Sequence, residues 1–442
     1  MSRSASSPLS DAVPWWRPDP ARTLVIRGGR PLRGTYPVSG AKNAVLPLMV
    51  SALLTPHLVT LHNMPASLDV AVLAALLRRL GAELHWSRTE AGLSVTICAD
   101  QVHPVRIDRE LVARMRASVL LLGALLARGG EANLPMPGGD AIGLRGIDFH
   151  VAGLRAMGAE IELAGGTIRA TAPRGLSGAE ILLPQPSVGA TENLLLAATM
   201  ARGTTIIRNA AREPEIADLV ACLAAMGASI EGAGTDVLAI AGGRPLGGAV
   251  HPVMPDRIEL GTLACAAAIT GGELHLRHGR LDLLGAAAPL LAAAGVELRP
   301  VEDGLMARRA PSGLAGVDIV TRPHPGFATD LQAPAMALLA TATGASMITE
   351  TIFEQRFRHV DELRKMGAAI AVRGQTAVVR GVPALQGAVV SGTDVRAAAA
   401  LVIAGLGAEG ETVLDGLDHL DRGYDRMADK LAACGADIRR AG

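Results

Sequence analysis

Aromatic residues are scarce in this chain, because Phe, Trp and Tyr together make up 2% of its 442 residues. Surfaces that bind single-stranded nucleic acid stack the bases on aromatic side chains, so the composition argues against such a surface. The 42 basic and 42 acidic residues give a formal net charge of zero, which argues against general affinity for nucleic acid or for a membrane surface. A local positive cleft is compatible with this balance.

Cysteine is scarce as well. Cys98, Cys222, Cys265 and Cys434 are scattered, without a CxxC pair or a histidine at metal-ligand spacing. Each stands in an apolar context, so we expect buried free thiols, as in a reducing cytoplasm. No apolar run is long and clean enough to span a bilayer, and the N-terminus has no apolar core of signal-peptide type.

A short sequence motif recurs along the chain: the end of a helix, then glycine, then the start of a strand. Glycine is the usual left-handed stop after a helix, and alternating residues after it begin a strand. The glycines are Gly81, Gly158, Gly227, Gly295, Gly367 and Gly435, so successive copies are 77, 69, 68, 72 and 68 residues apart. Six copies at a near-constant period indicate an internal repeat.

A second sequence motif alternates with the first. It is a turn of small or charged residues followed by an almost wholly apolar helix, which must be buried. Six such units predict an α/β fold of two globular domains, three units each, with the apolar helices inside a wrap of sheets. We predict a disordered, Ser- and Pro-rich extension over 1–20. A first, discontinuous domain covers 21–41 plus 255–442, and a second covers 42–254 and carries a mobile loop at 135–147.

That loop contains three glycines and a proline between Met136 and Arg145, a composition that disfavours helix and strand. It also carries Asp140 and Arg145 between two apolar segments. One interpretation is a mobile lid with an acid and a phosphate-binding arginine. The other is a surface loop with two solvated charges, which the loop alone favours. The rest of the chain favours the lid.

Charged residues stand at or near the starts of the apolar helices: Lys42, Arg116, Glu259, Asp330 and Arg396. A buried unpaired charge is costly, so we expect these helix ends to open into a cleft. Helix N-termini that face one space make an anion site. The alternative is that Asp330 and Asp394 are helix caps with which the cations pair. A cap does not account for cations at helix starts, which are disfavoured there unless an anion is present.

Several longer motifs resemble those of the enolpyruvyl transferases, and the similarity runs from about Leu24 to Arg440. The motifs are Ser39-Gly-Ala-Lys42-Asn43, Met115-Arg116-Ala-Ser118, Gly138-Gly139-Asp140-Ala-Ile-Gly143, Ala211-Arg212-Glu213-Pro214-Glu215-Ile216, Pro255-Asp256-Arg257-Ile258-Glu259, His324-Pro325, Thr329-Asp330, Glu354-Gln355-Arg356-Phe357 and Asp421-Arg422-Gly423-Tyr424. The resemblance implies a two-domain inside-out α/β barrel.

The Gly-Gly-Asp-Ala-Ile-Gly loop is similar to that of the nucleotide-sugar branch of the family. This resemblance implies transfer of the enolpyruvyl group of phosphoenolpyruvate to the 3′-hydroxyl of UDP-N-acetylglucosamine, with release of phosphate. It further implies the first committed step of peptidoglycan synthesis, in the cytoplasm, with consequences for cell shape and division. No metal or organic cofactor is implied.

The resemblance also implies residue roles. Its catalytic set is Asp140, Asp330, Lys42 and Arg396. Its substrate-binding set is Lys42, Asn43, Arg116, Arg145, Ser187, Val188, Gly189, Asp330, Ile352, Arg356, Arg396 and Arg422. Asp140 would be the general acid and Asp330 the base at the sugar hydroxyl. The cations would bind phosphoenolpyruvate, since arginine forks suit carboxylate and phosphate. For any one arginine taken alone, a structural ion pair is the alternative.

The chain departs from the family pattern on the loop and on the nucleotide side. Many members have cysteine at the position of Asp140, where it is the thiol alkylated by fosfomycin, so we expect general-acid chemistry and insensitivity to that epoxide. Gly146, Gln185 and Leu68 replace a common proline and two common lysines. Another acceptor, such as a nucleotide of secondary metabolism or shikimate 3-phosphate, is therefore the alternative substrate. A third reading, a non-catalytic binding protein, would be expected to lose Lys42, Asp330 or Arg396.

Overall fold

The computed structural model describes residues 9, 12–16, 21–89, 92–103 and 107–442. These residues form two compact units. The first unit contains the described residues of the N-terminal segment up to 17, together with those of 40–140 and 145–254. The second contains residues 21–39, 141–144 and 255–442. Each unit is therefore discontinuous in sequence.

The secondary structure alternates between strands and helices. The strands are β1 (Thr23–Arg27), β2 (Arg33–Pro37), β3 (Val59–His62), β4 (Glu83–Thr89), β5 (Gly92–Cys98), β6 (Glu131–Pro135), β7 (Glu160–Ala164), β8 (Thr167–Thr171), β9 (Glu180–Leu182), β10 (Thr204–Arg208), β11 (Ser229–Glu231), β12 (Val237–Ala241), β13 (Ala249–Pro252), β14 (Glu273–Arg277), β15 (Val296–Val301), β16 (Gly304–Arg309), β17 (Ile319–Val320), β18 (Ala345–Thr349), β19 (Ala369–Arg373), β20 (Thr376–Arg380), β21 (Val389–Ser391), β22 (Glu411–Asp415) and β23 (Asp437–Ala441). The α-helices are α1 (Lys42–Ser51), α2 (Leu68–Arg79), α3 (Arg109–Ala113), α4 (Leu120–Gly129), α5 (Asp148–Ala156), α6 (Val188–Met200), α7 (Pro214–Ala225), α8 (Arg257–Ile269), α9 (Ala287–Ala293), α10 (Gln332–Leu339), α11 (His359–Lys365), α12 (Val395–Gly407), α13 (Leu417–Gly423) and α14 (Met427–Ala433).

The described strands pair into six small sheets. In the first unit the strand orders are β11-β12-β10-β9, β13-β3-β5-β4 and β6-β8-β7. In the second unit they are β21-β22-β1-β23, β15-β16-β14-β2 and β17-β18-β20-β19. Most sheets combine antiparallel pairs with one parallel edge, for example β13 alongside β3 and β14 alongside β2. Among the described residues there are thus six sheets for six sequence repeats.

The repeat glycines have the backbone conformation that the sequence predicted. Gly81, Gly158, Gly227, Gly295, Gly367 and Gly435 have φ values of +100°, +95°, +101°, +88°, +87° and +90°. Each follows a helix and precedes a strand. A side chain is disfavoured at such angles, so glycine at these positions lets the chain leave a helix and enter a sheet. The predicted internal repeat is confirmed.

The apolar helices form the centre of each unit. In the second unit α8, α10 and α12 pack against one another, and every residue of α8 is buried. In the first unit α4 packs against α1 and α6. A helix that is apolar on all faces removes most of its surface from water only when neighbours cover it on every side. The charged residues at the starts of these helices are consequently carried into or beside the cores.

The N-terminal segment differs from its prediction. Leu9, Ala12 and Val13 are buried, with 5%, 2% and 0% of their surface exposed. The rings of Trp15 and Trp86 meet edge to face at 5.6 Å, and Trp86 Nε1 donates to the carbonyl oxygen of Ala12 at 3.1 Å. The prediction of a disordered extension is therefore wrong for Leu9 and Ala12–Trp16. The other residues of 1–20 lie outside the described residues.

Two smaller expectations concern cysteine and membrane spans. The four cysteines are free thiols, of which Cys222, Cys265 and Cys434 are buried and Cys98 is half-buried, so the expectation of burial is wrong for Cys98. In the part of the chain that the structure describes, no helix combines the length and apolar character needed to cross a membrane.

Candidate active site

A carboxylate held between two arginines lies in the second unit. Asp330 stands in a short 3-10 turn, Thr329–Leu331, directly before α10. Its Oδ1 accepts a hydrogen bond from Arg356 Nη2 at 2.7 Å, and its Oδ2 accepts from Arg396 Nε and Nη2 at 3.0 and 2.8 Å. The side chains of Arg356 and Arg396 are 5% and 4% exposed. The three predicted site residues are thus brought together in one cluster, in which both arginines are buried and the Asp330 side chain is 23% exposed.

Electrostatics fix the charge state of this cluster. Burial alone would raise the pKa of the Asp330 carboxyl, but Arg396 and Arg356 outweigh it and hold that pKa well below its usual range. Burial likewise opposes the charge of Arg396, but Asp330 raises the pKa of its guanidinium above the usual value. Arg396 Nη1 is buried and makes no hydrogen bond to a described residue. The site therefore holds an ionised carboxylate beside two guanidinium cations.

The neighbouring loop is held by a buried glutamate. Thr329 Oγ1 accepts from Arg356 Nη1 at 2.9 Å and donates to Glu350 Oε2 at 2.8 Å. Glu350 Oε1 accepts from the backbone N–H groups of Ile352 and Phe353 at 2.8 and 3.1 Å. Glu350 thus fixes the backbone at Ile352 and ties it to the Asp330 cluster.

Arg422 lies in the last turn of α13 and is half-buried. The next residue, Gly423, packs on Arg396, because a Cβ built at Gly423 would lie 3.8 Å from Arg396 Nη1. The Tyr424 ring is 5.4 Å from Arg396 Cζ, which is a cation–π distance. The end of α13 therefore borders the second unit's cationic cluster.

In the first unit, Lys42 is the first residue of α1 and forms an ion pair with Asp69. Its Nζ is 2.8 Å from Asp69 Oδ2, and the two side chains are 15% and 1% exposed. Asn43 follows Lys42 and is half-buried. Burial and the nearby Glu215 and Glu213 raise the pKa of Glu192, although Lys42 lowers it. The Lys42 end of α1 therefore has acidic neighbours within its own unit.

The base of the glycine-rich loop lies against Arg116. Arg116 Nη2 donates to the carbonyl oxygens of Arg145 and of Gly146, the latter at 2.6 Å. Burial and the charge of Arg145 lower the pKa of Arg116 to about 10, although Asp148 acts in the opposite sense. A Cβ at Gly139 would lie 3.0 Å from Arg116 Cβ and 3.3 Å from Arg145 Nη1, so this stretch of loop needs glycine. Asp140 follows directly in the chain.

The tip of the loop, residues 141–144, belongs to the second unit. The Leu144 N–H donates to Glu354 Oε1 at 2.6 Å, and the Gln355 N–H donates to the carbonyl oxygen of Ile142 at 3.1 Å. A Cβ at Gly143 would collide with Glu354, at 2.4 Å from Oε2. The loop tip is thus fitted to the segment that also carries Arg356.

Ser187, Val188 and Gly189 form the N-terminal end of α6 in the first unit. Ser187 is the helix cap, and its Oγ accepts from the Ala190 N–H at 3.4 Å. All three residues are half-buried. The first N–H groups of a helix have no partner within the helix and favour an anion. Among the described residues, no group of three or more His, Cys, Asp or Glu side chains could hold a metal ion.

Comparison with known proteins identifies the family. The profile of EPSP synthase, described as 3-phosphoshikimate 1-carboxyvinyltransferase, matches residues 26–431. The chain belongs to this family of enolpyruvyl transferases. A UDP-N-acetylglucosamine 1-carboxyvinyltransferase from Rhodospirillum centenum is 54% identical over 424 residues, which cover 94% of this chain and 98% of that protein. The protein of the same name from Gluconobacter oxydans is 55% identical over 417 residues, covering 94% and 99%.

Solved structures confirm the fold class. The enolpyruvyl transferase NikO from Streptomyces tendae matches with a TM-score of 0.85 and 28% identity, covering 96% of this chain and 99% of that one. EPSP synthase from Acinetobacter baumannii matches with a TM-score of 0.72 and 19% identity, covering 95% and 100%, which supports the fold alone. The predicted two-domain inside-out α/β fold of the enolpyruvyl transferases is confirmed.

The structure corrects the expectation for the charged helix starts of this enolpyruvyl transferase. The anions beside Lys42 and Arg396 are protein carboxylates, Asp69 and Asp330. Glu259 does not open into a cleft, because it is 2% exposed and accepts from the Tyr36 hydroxyl and the Ser39 N–H at 2.8 and 2.7 Å. The structural ion pairs that the sequence offered as an alternative are therefore present.

The cap interpretation holds for one aspartate and fails for the other. Asp394 caps α12, since its Oδ1 accepts from the N–H groups of Arg396 and Ala397 at 2.9 and 3.0 Å. The residue that precedes α10 is Leu331, which offers no side-chain cap, and Asp330 binds arginines instead. Asp330 thus differs from an ordinary helix cap.

Sequence reasoning missed three residues that position this site: Asp69, Glu350 and His150. Asp69 could have been suspected, because it is an ionisable residue two positions after the cap Ser67, in the first turn of a largely apolar helix. Glu350 gave no signal, since it ends an ordinary strand-like run. His150 lies on α5, directly after the loop, and its partner Asn193 is 43 residues away in the sequence.

Three departures from the family pattern have a visible local setting. A Cβ at Gly146 would lie 2.4 Å from Asp148 Oδ1, so the Asp148 carboxylate occupies the space of a side chain there. Gln185 is exposed, two residues before the cap of α6. Leu68 is buried at the start of α2. None of the three supplies a positive charge on the side where the family commonly has lysine.

Proposed function

We propose that this chain transfers the enolpyruvyl group of phosphoenolpyruvate to the 3′-hydroxyl of UDP-N-acetylglucosamine and releases phosphate. The observation that carries the proposal is the cluster of the half-buried Asp330 with the buried Arg356 and Arg396. It joins a carboxylate acceptor to cations suited to carboxylate and phosphate. Relatives with that activity in their names, 54% and 55% identical over 94% of the chain, support the choice of acceptor.

The proposed chemistry is an addition followed by an elimination. Asp140, as general acid, gives a proton to the methylene carbon of phosphoenolpyruvate, which leaves a cationic centre on the adjacent carbon. The sugar hydroxyl oxygen bonds to that carbon and loses its proton to Asp330. The new methyl group then returns a proton to the Asp140 carboxylate as the bond to phosphate breaks, which restores the vinyl group. The proton taken up by Asp330 leaves with the phosphate. Lys42, Arg145 and Arg396, with Arg422 beside them, would hold the phosphate and carboxylate throughout.

The double ion pair bears on the role of Asp330 as a base. A carboxylate whose pKa is held low by two arginines accepts a proton poorly. An anionic substrate at Arg396 would offset that positive charge and thereby raise the proton affinity of Asp330. We propose that phosphoenolpyruvate binding activates the base in this way. Asn43 and the backbone at Ile352 would orient the sugar beside it.

The biological setting is part of the proposal. Enolpyruvyl transfer to UDP-N-acetylglucosamine would make this chain the first committed enzyme of peptidoglycan synthesis, acting in the cytoplasm and supporting cell shape and division. Restored growth of a bacterial strain depleted of its own enzyme would support this assignment. Failure of the expressed, soluble protein to restore growth would count against it.

An acceptor screen tests the proposal in vitro. Phosphoenolpyruvate is mixed with UDP-N-acetylglucosamine, with shikimate 3-phosphate or with other nucleotides, and products are identified by mass spectrometry. We expect an enolpyruvyl adduct of UDP-N-acetylglucosamine that carries deuterium in its methylene group when the reaction runs in D₂O. An adduct only with another acceptor would overturn the choice of substrate. No adduct with any acceptor would favour a binding protein.

A further inference from the structure

His150 lies where the glycine-rich loop joins the body of the first unit. It is on α5, three residues after Ile147, and it is 5% exposed. Its Nδ1 atom is 2.9 Å from Asn193 Nδ2 on α6. A histidine buried this deeply is held in one ring orientation by its partner.

The contacts of Asn193 decide which ring nitrogen of His150 carries the proton. Asn193 Oδ1 accepts the Gly123 N–H at 2.8 Å, which fixes the orientation of the amide group. Asn193 Nδ2 then donates to the Val119 carbonyl oxygen at 3.2 Å and to His150 Nδ1. An amide NH₂ group cannot accept a hydrogen bond, so His150 Nδ1 is the acceptor and the neutral ring carries its proton on Nε2.

The ring stays neutral at physiological pH. Burial, with the nearby charge of Arg116, lowers the pKa of His150 to about 3. A protonated ring would also place an Nδ1–H group against the Asn193 N–H. The Nε2–H group is therefore a fixed neutral donor across the pH range in which histidine usually titrates.

This donor faces the N-terminal end of α6. A Cβ built at Gly189 would lie 3.5 Å from His150 Cε1 and 3.7 Å from Nε2. Among the described residues His150 has a hydrogen bond only through Nδ1. An oriented N–H group on a residue that is 5% exposed thus faces the start of a 13-residue helix, which already favours an anion.

We propose that His150 is a neutral hydrogen-bond donor to the diphosphate of the sugar nucleotide, bound at the first turn of α6. The proposal rests on the proposed function and adds a residue that fixes the position of its acceptor substrate. It accounts for anion binding at a point where Gln185, rather than a cation, precedes the helix. The Asn193 contact acts as the positioning device, since it keeps the proton on the nitrogen that faces the ligand.

Two substitutions separate this role from a structural one. His150→Phe keeps an aromatic ring and removes the donor, whereas His150→Gln places an amide N–H near the position of Nε2. We expect His150→Phe to raise the KM for UDP-N-acetylglucosamine about 10- to 100-fold, the usual range for a lost hydrogen bond to a charged group. The KM for phosphoenolpyruvate should change less than about threefold. His150→Gln should stay within about threefold of the parent for both substrates.

The outcomes are distinguishable from failure of the proposed function. If the parent makes no adduct with UDP-N-acetylglucosamine, the proposed function fails. If the parent is active and His150→Phe keeps the parental KM, only the role of His150 fails. Equal increases in KM for both variants would show a packing role and would also overturn the proposal. Selective ¹⁵N-histidine NMR should show a neutral Nε2–H ring whose signal shifts when UDP-N-acetylglucosamine is added, and a ring protonated on Nδ1 would contradict it.

Discussion

The half-buried Asp330 and the buried Arg396 form an ion pair between residues 66 positions apart in the sequence, with Arg396 Nη2 2.8 Å from Asp330 Oδ2. Arg356 engages the second oxygen of the same carboxylate. Removing one partner of such a pair strongly destabilises the folded protein, because the remaining buried charge is left without its counterion. The pair therefore links the stability of the second unit to its proposed chemistry.

Asp330→Asn should impair both activity and stability. We expect the rate of phosphate release to fall about 100-fold or more, the usual effect of losing a general base. The free energy of unfolding should fall by about 3 kcal/mol, because two buried arginines lose their carboxylate. Asp361→Asn is a matched control, since its pair with Arg364 is 78% and 43% exposed and should contribute less than about 1 kcal/mol. Full activity of the Asp330→Asn variant would exclude Asp330 as the base.

The Asp330 contribution to stability should depend on pH in one direction. Its folded pKa lies below the unfolded value, so the contribution is fully present above about pH 4 to 5 and is lost as the pH falls through the folded pKa. We expect the difference in unfolding free energy between the parent and Asp330→Asn to be constant from pH 7 to 5 and to shrink toward pH 3. A difference that grows on acidification would contradict this assignment of charge. Urea unfolding at each pH provides the measurement.

The loop chemistry predicts the response to fosfomycin. Asp140 offers no thiol for alkylation, so we expect the parent to keep its activity after incubation with the epoxide. Asp140→Cys should be inactivated in a time-dependent manner, with a covalent adduct on the loop peptide by mass spectrometry. Cys98 is the only half-buried thiol among the four, so Cys98→Ser in both backgrounds controls for alkylation elsewhere. Rapid inactivation of the parent would show that a different group reacts.

The packing of the N-terminal segment on Trp86 can be tested by intrinsic tryptophan fluorescence. The chain has three tryptophans, at 15, 16 and 86, and two of them form the edge-to-face contact. Trp15→Ala should expose Trp86, shift the emission to the red and lower the unfolding free energy by about 0.5 to 1.5 kcal/mol. Trp16→Phe, which leaves that contact in place, is the matched control. An unchanged emission maximum in Trp15→Ala would mean that the segment does not cover Trp86.

Local patterns in the sequence were sufficient for the repeats and the buried helices. Each repeat glycine is flanked by residues that specify a helix end and a strand start, so Gly81 and its five counterparts could be recognised without tertiary information. The apolar composition of segments such as Val395–Gly407 likewise identifies buried helices. These features depend on neighbours within a few positions along the chain.

The interaction partners of the site residues could not be predicted from local sequence patterns. Lys42 and Asp69 lie on different helices, and Glu259 meets a hydroxyl 223 positions away, so no local pattern pairs them. Composition gave a wrong prediction at the N-terminus, where Ser and Pro suggested disorder. The ring of Trp15 instead packs against that of Trp86, which is 71 positions away in the sequence. Long-range packing decides these contacts, and the family motifs mark the residues without showing what each one touches.

The most direct test of the account is phosphate release from phosphoenolpyruvate with UDP-N-acetylglucosamine, measured for the parent and for Asp140→Asn side by side. The account predicts release by the parent in equal amount to the acceptor consumed, and loss of about 100-fold or more in the variant. No release by the folded parent would contradict the assigned acceptor. Equal rates for the two proteins would contradict Asp140 as the general acid.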